Sequence, residues 1–271
     1  MTARAEEKDG DAPSGGVAAV ERALTIAAAL AEAGEPLTLA ALARRTGYYK
    51  STLLRLLVSL ERFGYSVRLH DGRYALGGTA FRMGAAYERL QPLRMHVDPV
   101  LQELVAQGTE SPSFHVPHDA ANRLCLFRRD SAHSTLDRIH PGDLLPLHRG
   151  AAGRVLLAYA GEPGESFEAI RRDLVTISHG ERDPVCAGLA CPVFGPGDGG
   201  RGMAAVGALS LSGPRERFTD ENVARMTSLL LQAAAGITAA LGGNAGPLRA
   251  RLAAHETSIA AKNAPPRLRR A

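Results

Sequence analysis

Residues 37–77 read LTLAALARRTGYYKSTLLRLLVSLERFGYSVRLHDGRYALG, and three elements are recognisable within them. Thr38 is placed to cap a short helix that ends near Gly47. Leucines spaced by three and four residues then predict a longer helix over residues 50–63. Apolar residues that alternate on either side of Asp71 and Gly72 predict a β-hairpin. Helix, tight turn, helix and hairpin in this order indicate a winged helix-turn-helix.

One more helix precedes this stretch. Val20, Leu24, Ala27 and Ala31 recur every three to four residues, which predicts an amphipathic helix. Gly34 is expected to end it. The predicted winged helix-turn-helix domain therefore covers residues 17–77.

The longer helix keeps a polar and basic face once its leucines are buried. Arginine offers a bidentate fork to guanine, serine and threonine bond to bases or phosphates, and lysine pairs with phosphate, so this mixture is typical of a helix that enters the major groove. Arginines at the end of the preceding helix and on the hairpin are placed to contact the DNA backbone. The predicted DNA-binding residues are Arg44, Arg45, Lys50, Ser51, Thr52, Arg55, Ser59, Arg62, Arg68 and Arg73.

The remainder of the chain predicts a second domain of α/β character, and hence an α+β protein. We expect a disordered tail over residues 1–16, a linker helix over 78–95, an effector-binding and oligomerisation domain over 96–241, and a basic, flexible tail over 242–271. A short helix within that last tail, around residues 248–259, remains open. Residues 195–202, GPGDGGRG, are expected to form a flexible loop between two strands.

Composition limits the class of protein. The chain has 271 residues, 45% of them hydrophobic, which suits a globular protein of one or two domains. Three cysteines are too few and too scattered for a disulfide scaffold, and the N-terminal segment lacks the order of a signal peptide, so we expect a cytoplasmic protein without a membrane partner. The net charge is +4, and the positive charge lies in two segments: residues 17–77 hold eight Lys and Arg against five Asp and Glu, and residues 242–271 hold six against one, so the rest of the chain is net acidic.

The sequence resembles the IclR family of bacterial transcription regulators. The resemblance is carried by AVERALTIAAALAEAG and the stretch quoted above, and then by LPLHRGAAGRVLLAY, AGLACPVFG and ALSLSGPRERFT. It implies a winged helix, a linker helix and a GAF-like or PAS-like effector domain. It also implies a homodimer, or a dimer of dimers, on a pseudo-palindromic operator, with a small metabolite such as an organic or aromatic acid as effector.

The same resemblance implies where the effector binds. The implied residues are Gly150, Ala151, Glu181, Gly188, Ser210 and Ser212, with Asp183 as the next candidate after Glu181. Free N–H groups at the start of the helix that follows Gly150 favour a carboxylate. Gly188 stands where some family members carry a ligand-contacting cysteine, with Cys186 and Cys191 nearby.

No enzymatic motif accompanies these features. The sequence has no G-x-S-x-G, no P-loop, no G-x-G-x-x-G after a strand and no H-E-x-x-H, and its cysteines have no zinc-site spacing, so neither catalysis nor a cofactor or metal is predicted. Three alternatives stay open. They are an enzyme of small-acid metabolism with an appended helical domain, a regulator with a degenerate effector pocket, and a module whose winged helix binds a protein.

Overall fold

The computed structural model describes residues 16–90, 93–196 and 204–263. The predicted tail over 1–16, except Gly16, lies outside these residues, as do most of the predicted glycine-rich loop and residues 264–271 of the predicted C-terminal tail.

The N-terminal unit is a winged helix-turn-helix followed by one more helix. Thr38 caps its second helix by accepting a hydrogen bond from the Ala41 N–H at 3.1 Å, and Gly47 ends that helix at a φ of 73°. The two strands pair antiparallel and form the wing. The elements are α1 (Ala18–Ala33), α2 (Leu39–Thr46), α3 (Lys50–Arg62), β1 (Ser66–Arg68), β2 (Tyr74–Leu76) and α4 (Gly78–Leu90).

The core of this unit lies between its first three helices and the wing. Leu42, Leu53 and Leu57 are buried there, as the leucine spacing predicts. The apolar repeat correctly predicts the helix α1, but the side chains that it buries are Ile26, Ala29 and Leu30, whereas Val20 and Leu24 are 55% and 60% exposed. Apolar residues cover most of α1, so periodicity alone did not distinguish the two faces.

The C-terminal unit is built on a six-stranded sheet in which all neighbours are antiparallel, in the order β5-β4-β3-β8-β7-β6. Helices cover both faces of the sheet, with α6 on one side of β7 and β8 and α8 on the other. The elements are α5 (Leu93–Ala106), β3 (Ser111–Pro117), β4 (Asn122–Arg128), β5 (Leu144–Pro146), α6 (Ala151–Tyr159), α7 (Glu165–Asp173), β6 (Thr176–His179), β7 (Cys186–Phe194), β8 (Ala205–Pro214), α8 (Asp220–Ala240) and α9 (Gly246–Asn263).

The two units confirm the predicted α+β class, and they separate between α4 and α5. The predicted linker helix over 78–95 is wrong at its end, because α5 begins at Leu93. Its side chains Val97, Leu101 and Leu104 are fully buried in the C-terminal unit, so α5 is part of that core.

The prediction of a flexible C-terminal tail is wrong for residues 246–263. They form α9, which packs on α8 and buries Leu248 completely. His255 Nε2 lies 2.9 Å from the Ala224 carbonyl, and Arg251 Nε donates to the Asp173 carbonyl at 2.9 Å. The open possibility of a helix here is confirmed, and its apolar residues explain why it is not a solvated end.

Helix α8 is, within the part of the chain that the structure describes, the one helix long and apolar enough to span a membrane. Half of that apolar segment is buried, and Met226, Leu230 and Ala234 pack into the core of the C-terminal unit. Its apolar character is therefore accounted for by the core.

Candidate functional site

Helix α3 presents a continuous exposed face opposite its buried leucines. Lys50, Ser51, Arg55, Ser59 and Arg62 lie in solvent on this face, and Thr52 is half-buried. These side chains are exposed because the leucines at positions 53, 57 and 60 are buried in the core, which turns the positions between them outward. The structure thus brings the predicted residues of α3 to one accessible surface.

Three apolar residues that were not predicted share this surface. Tyr49, at the N-cap of α3, is 80% exposed, and Leu54 and Val58 are also exposed. Leu54 and Val58 lie one helical turn apart, and each is next to a predicted polar residue. These residues could have been predicted by counting which positions of α3 the core does not cover. They lie between the polar residues that were predicted to bind DNA.

The arginines outside α3 differ in how they are held. Arg44 and Arg45 are exposed in the last turn of α2. On the wing, the Arg68 guanidinium lies 5.8 Å from the centre of the Tyr74 ring. Arg73 Nε donates to Asp71 Oδ2 at 2.7 Å, and hydrogen bonds from Arg73 lower the pKa of the Asp71 carboxyl. The charge of Arg73 is therefore partly neutralised by its neighbour.

A cavity of about 40 Å³ lies in the C-terminal unit, where the start of α6 meets the ends of β6, β7 and β8. All six residues that the family resemblance implied line it, together with Asp183. Residues that were not predicted also line it, among them His115, Arg123, Ser178 and Arg182. Gly188 lies across the sheet from Ser178 on one side and Ser212 on the other, so the absence of a side chain there keeps the space open.

The start of α6 is already occupied by side chains of the same unit. Gly150 N–H donates to Glu181 Oε2 at 2.9 Å, and Ala151 N–H donates to Ser178 Oγ at 2.9 Å. Glu181 also pairs with Arg154 at 3.2 Å. These carboxylate and hydroxyl oxygens satisfy N–H groups that would otherwise have no partner at a helix start. Glu181, and not Asp183, is thus the acidic residue at this position.

The two predicted serines of β8 belong to separate hydrogen-bond networks. Ser212 Oγ donates to Asp137 Oδ2 at 2.8 Å, and Asp137 in turn pairs with Arg128 at 2.5 Å and with Arg182 at 3.2 Å. Asp137 is buried and was not predicted, because it lies in a segment without periodicity. Ser212 is thereby tied to a buried ion cluster at the base of the cavity.

Ser210 belongs to the second network. Its hydroxyl lies 3.0 Å from Ser113 Oγ, which lies 3.0 Å from His115 Nε2. His115 is fully buried, and its other ring nitrogen, Nδ1, has no hydrogen-bond partner. Burial, and then the nearby charges of Arg123, Arg128 and Arg182, hold the pKa of His115 well below its usual range, so its ring is neutral.

The cysteines support no metal or disulfide site. Cys125, Cys186 and Cys191 are all free thiols, and burial raises the pKa of Cys125 to about 12 and that of Cys191 still further. Among the described residues, no group of three His, Cys, Asp or Glu side chains could hold a metal ion.

Comparison with known proteins relates both units of this chain to one family of transcriptional regulators. A family model, the IclR helix-turn-helix domain, matches residues 19–68. Transcriptional repressor IclR of Escherichia coli is 25% identical over 254 residues, which cover 85% of this chain and 92% of the repressor.

Two solved structures share the fold. A crystal structure of an IclR transcriptional regulator from Alicyclobacillus acidocaldarius superimposes with a TM-score of 0.70 at 22% identity, covering 83% of this chain and 98% of the other. An IclR homologue from Microbacterium hydrocarbonoxydans, solved in complex with 4-hydroxybenzoate, superimposes with a TM-score of 0.64 at 21% identity, covering 86% of this chain and all of the other.

Proposed function

This chain belongs to the IclR family of transcriptional regulators, and we propose that it binds an operator through α3 and responds to a small organic acid bound in the cavity at the start of α6. It is a DNA-binding regulator with an effector domain. The contacts to the operator, the oligomeric state and the class of effector are the proposed parts.

The exposed face of α3 is the observation that carries the DNA contacts. Lys50 and Arg55 extend into solvent from the second helix of the helix-turn-helix, and within the described residues neither forms an ion pair. Unpaired cations on a helix that fits the major groove are suited to phosphates and base edges. Leu54 and Val58 add apolar contacts of the kind that recognise the thymine methyl group.

The N-terminal unit also exposes apolar side chains on two of its helices, α1 and α4, and these support a homodimer. Val20 and Leu24 on α1 are more than half exposed, and Phe81 and Leu90 on α4 are 79% and 80% exposed. Exposed apolar side chains that cluster on a protein surface mark contact sites. A second copy of the chain, or a dimer of dimers, would cover them and would match the two-fold symmetry of a pseudo-palindromic operator.

The effector domain supports binding of an acid. The relative from Microbacterium hydrocarbonoxydans holds an aromatic acid, and the cavity here is lined by arginine and serine side chains, which suit a carboxylate. We propose that occupation of this cavity changes affinity for the operator. In this proposal the protein is cytoplasmic, performs no catalysis and needs no cofactor, metal or membrane.

The test is a footprint of the full chain on the DNA upstream of its own gene, with and without a panel of small carboxylic acids. We expect two protected half-sites about one helical turn apart, or a multiple of it, and a change in protection with at least one acid. Protection without any response to acids would support the degenerate pocket. The absence of salt-sensitive binding would support the protein-interaction module, and turnover of an acid would support the enzyme.

A further inference from the structure

Leu54 and Val58 form an apolar strip on the exposed face of α3. They are 45% and 57% exposed, and they lie one helical turn apart, so their side chains are neighbours on the helix surface. Leu53, Leu57 and Leu60 form the core on the opposite side of the helix. The fold of the N-terminal unit therefore leaves the apolar strip in water, and covering it would gain free energy.

Cations border the apolar strip. Arg55 follows Leu54 in the sequence, and Arg62 lies one turn beyond Val58. Both arginines are exposed, and neither forms an ion pair within the residues that the structure describes. A partner that covers the strip must also provide anions beside it, because an uncharged surface would remove hydration from these cations without compensation. The major groove of DNA meets this requirement, since phosphates run along both of its edges.

The floor of the major groove offers one apolar group, the C5-methyl group of thymine. The other groups at the base edges are hydrogen-bond donors and acceptors, such as O6 and N7 of guanine and the N4 amino group of cytosine. A leucine or valine side chain pressed against these would leave them without water and without a hydrogen-bond partner, which is costly. The thymine methyl is therefore the group that the apolar strip fits.

The spacing of the two side chains sets the spacing of the bases. Four residues of an α-helix span about 6 Å along its axis. Successive bases of one DNA strand are about 3.4 Å apart, so two base steps span roughly 6.8 Å. One side chain of the strip can then contact one methyl group, and the other side chain a second methyl group no more than two base steps away.

We infer that α3 reads two thymines in each operator half-site through Leu54 and Val58, and that these thymines are no more than two base steps apart. This inference rests on the proposed binding of the operator by α3 and deepens it, because it specifies bases. Leu54 and Val58 are then residues that determine sequence specificity, whereas Lys50 contributes a phosphate contact that every sequence offers. Burial of one methyl group should change affinity by about threefold to fivefold.

The experiment is a uracil scan of the footprinted operator with the full chain at fixed salt concentration. Each thymine of one half-site is replaced in turn by uracil, which lacks only the C5-methyl group, and affinity is measured by fluorescence anisotropy. We expect binding of the wild-type chain to weaken by about threefold to fivefold at two positions, adjacent or separated by one base. Replacement of thymines outside the contact with α3 should have a smaller effect.

Two variants assign the methyl groups to side chains. Leu54→Ala should be insensitive to uracil at one of the two positions and Val58→Ala at the other, because a shortened side chain no longer contacts the methyl group. Each variant should also bind the thymine operator more weakly than the wild type. Val185→Ala is the matched control, since it truncates a valine that is 63% exposed in the C-terminal unit, and it should keep the sensitivity of the wild type at both positions.

The uracil scan uses the wild-type chain, so it tests the inference even where a variant does not fold. Wild-type affinity for every uracil operator would overturn the inference. Leu54→Ala and Val58→Ala chains that stay as sensitive to uracil as the wild type would also overturn it, because the effect would then come from the shape of the DNA. In both cases operator binding persists and the proposed function stands. A chain that protects no DNA would refute the proposed function itself.

Discussion

The N-terminal unit carries the arginines of its proposed binding surface in solvent, whereas the C-terminal unit buries Arg123 and Arg128 in its core. The exposed arginines, such as Arg55, keep their hydration until a partner arrives. The buried ones have lost hydration on folding, and only Arg128 has gained carboxylates in exchange, from Asp137 and Asp130. The same side chain is therefore suited to an extended polyanion in one unit and to a single small anion in the other.

The largest expected effect is on the buried ion cluster. Asp137→Asn removes the shared counter-ion of Arg128 and Arg182, and we expect the free energy of unfolding of the C-terminal unit to fall by about 3 to 5 kcal/mol. Urea unfolding measures this change in the free energy of unfolding. Asp130→Asn is the matched control, because Asp130 also pairs with Arg128 but its side chain is 58% exposed, and its loss should cost under about 1 kcal/mol. If Asp137→Asn and Asp130→Asn lowered the free energy of unfolding equally, burial would not be what makes the Arg128–Asp137 pair stronger than the Arg128–Asp130 pair.

The next effect is on DNA binding. Arg55→Ala should weaken binding to the footprinted operator by roughly tenfold to a hundredfold, as for loss of a bidentate base contact, and leave thermal stability unchanged. Electrophoretic mobility shift measures it on the operator and on a scrambled duplex. Arg249→Ala, which removes an exposed arginine from α9, is the control and should bind as the wild type does. An Arg55→Ala chain with wild-type affinity would remove α3 from the proposed interface.

Much of the N-terminal unit was predictable because its signals are local. The Thr38 cap, the Gly47 turn and the leucines at 53, 57 and 60 each act within a few residues of the chain. The orientation of α1 was not predictable, because apolar residues cover most of its surface. Tertiary packing buries Ile26 and Leu30 and leaves Val20 and Leu24 exposed.

The cavity was predictable only in part. The resemblance located six lining residues, but Arg123 and Ser178 join them through strand pairing between distant segments. One local signal was available for Arg123: it alternates with Cys125, and both are buried on β4. An arginine at a buried position of a strand indicates either an ion pair or a bound ligand. Among the described residues, Arg123 forms no ion pair.

A smaller effect is expected from His115, whose pKa is held well below its usual value by burial and by the neighbouring arginines. The unfolded chain binds a proton near pH 6.5 and the folded chain does not, so stability is complete above that pH and falls as the pH drops through it. From pH 7.5 to 5.5 we expect a loss of about 1 kcal/mol in the free energy of unfolding.

His115→Gln should remove that part of the pH dependence, whatever its effect on absolute stability. His118→Gln, which replaces an exposed histidine just beyond the same strand, should retain it. Urea unfolding at the two pH values gives the comparison. A His115→Gln chain with the pH dependence of the wild type would show that the ring is not held neutral by its surroundings.

The salt dependence of binding distinguishes most directly between the exposed cations of α3 and the buried arginine of the effector cavity. We predict that operator affinity of the wild-type chain falls linearly with the logarithm of salt concentration, and that Lys50→Ala reduces the slope by about one through loss of one phosphate contact. Affinity for the small organic acid should change little over the same range, because Arg123, which lines the proposed effector cavity, is buried. A Lys50→Ala slope equal to that of the wild type would contradict the proposed phosphate contact of α3, and acid binding as salt-sensitive as operator binding would contradict a buried effector site.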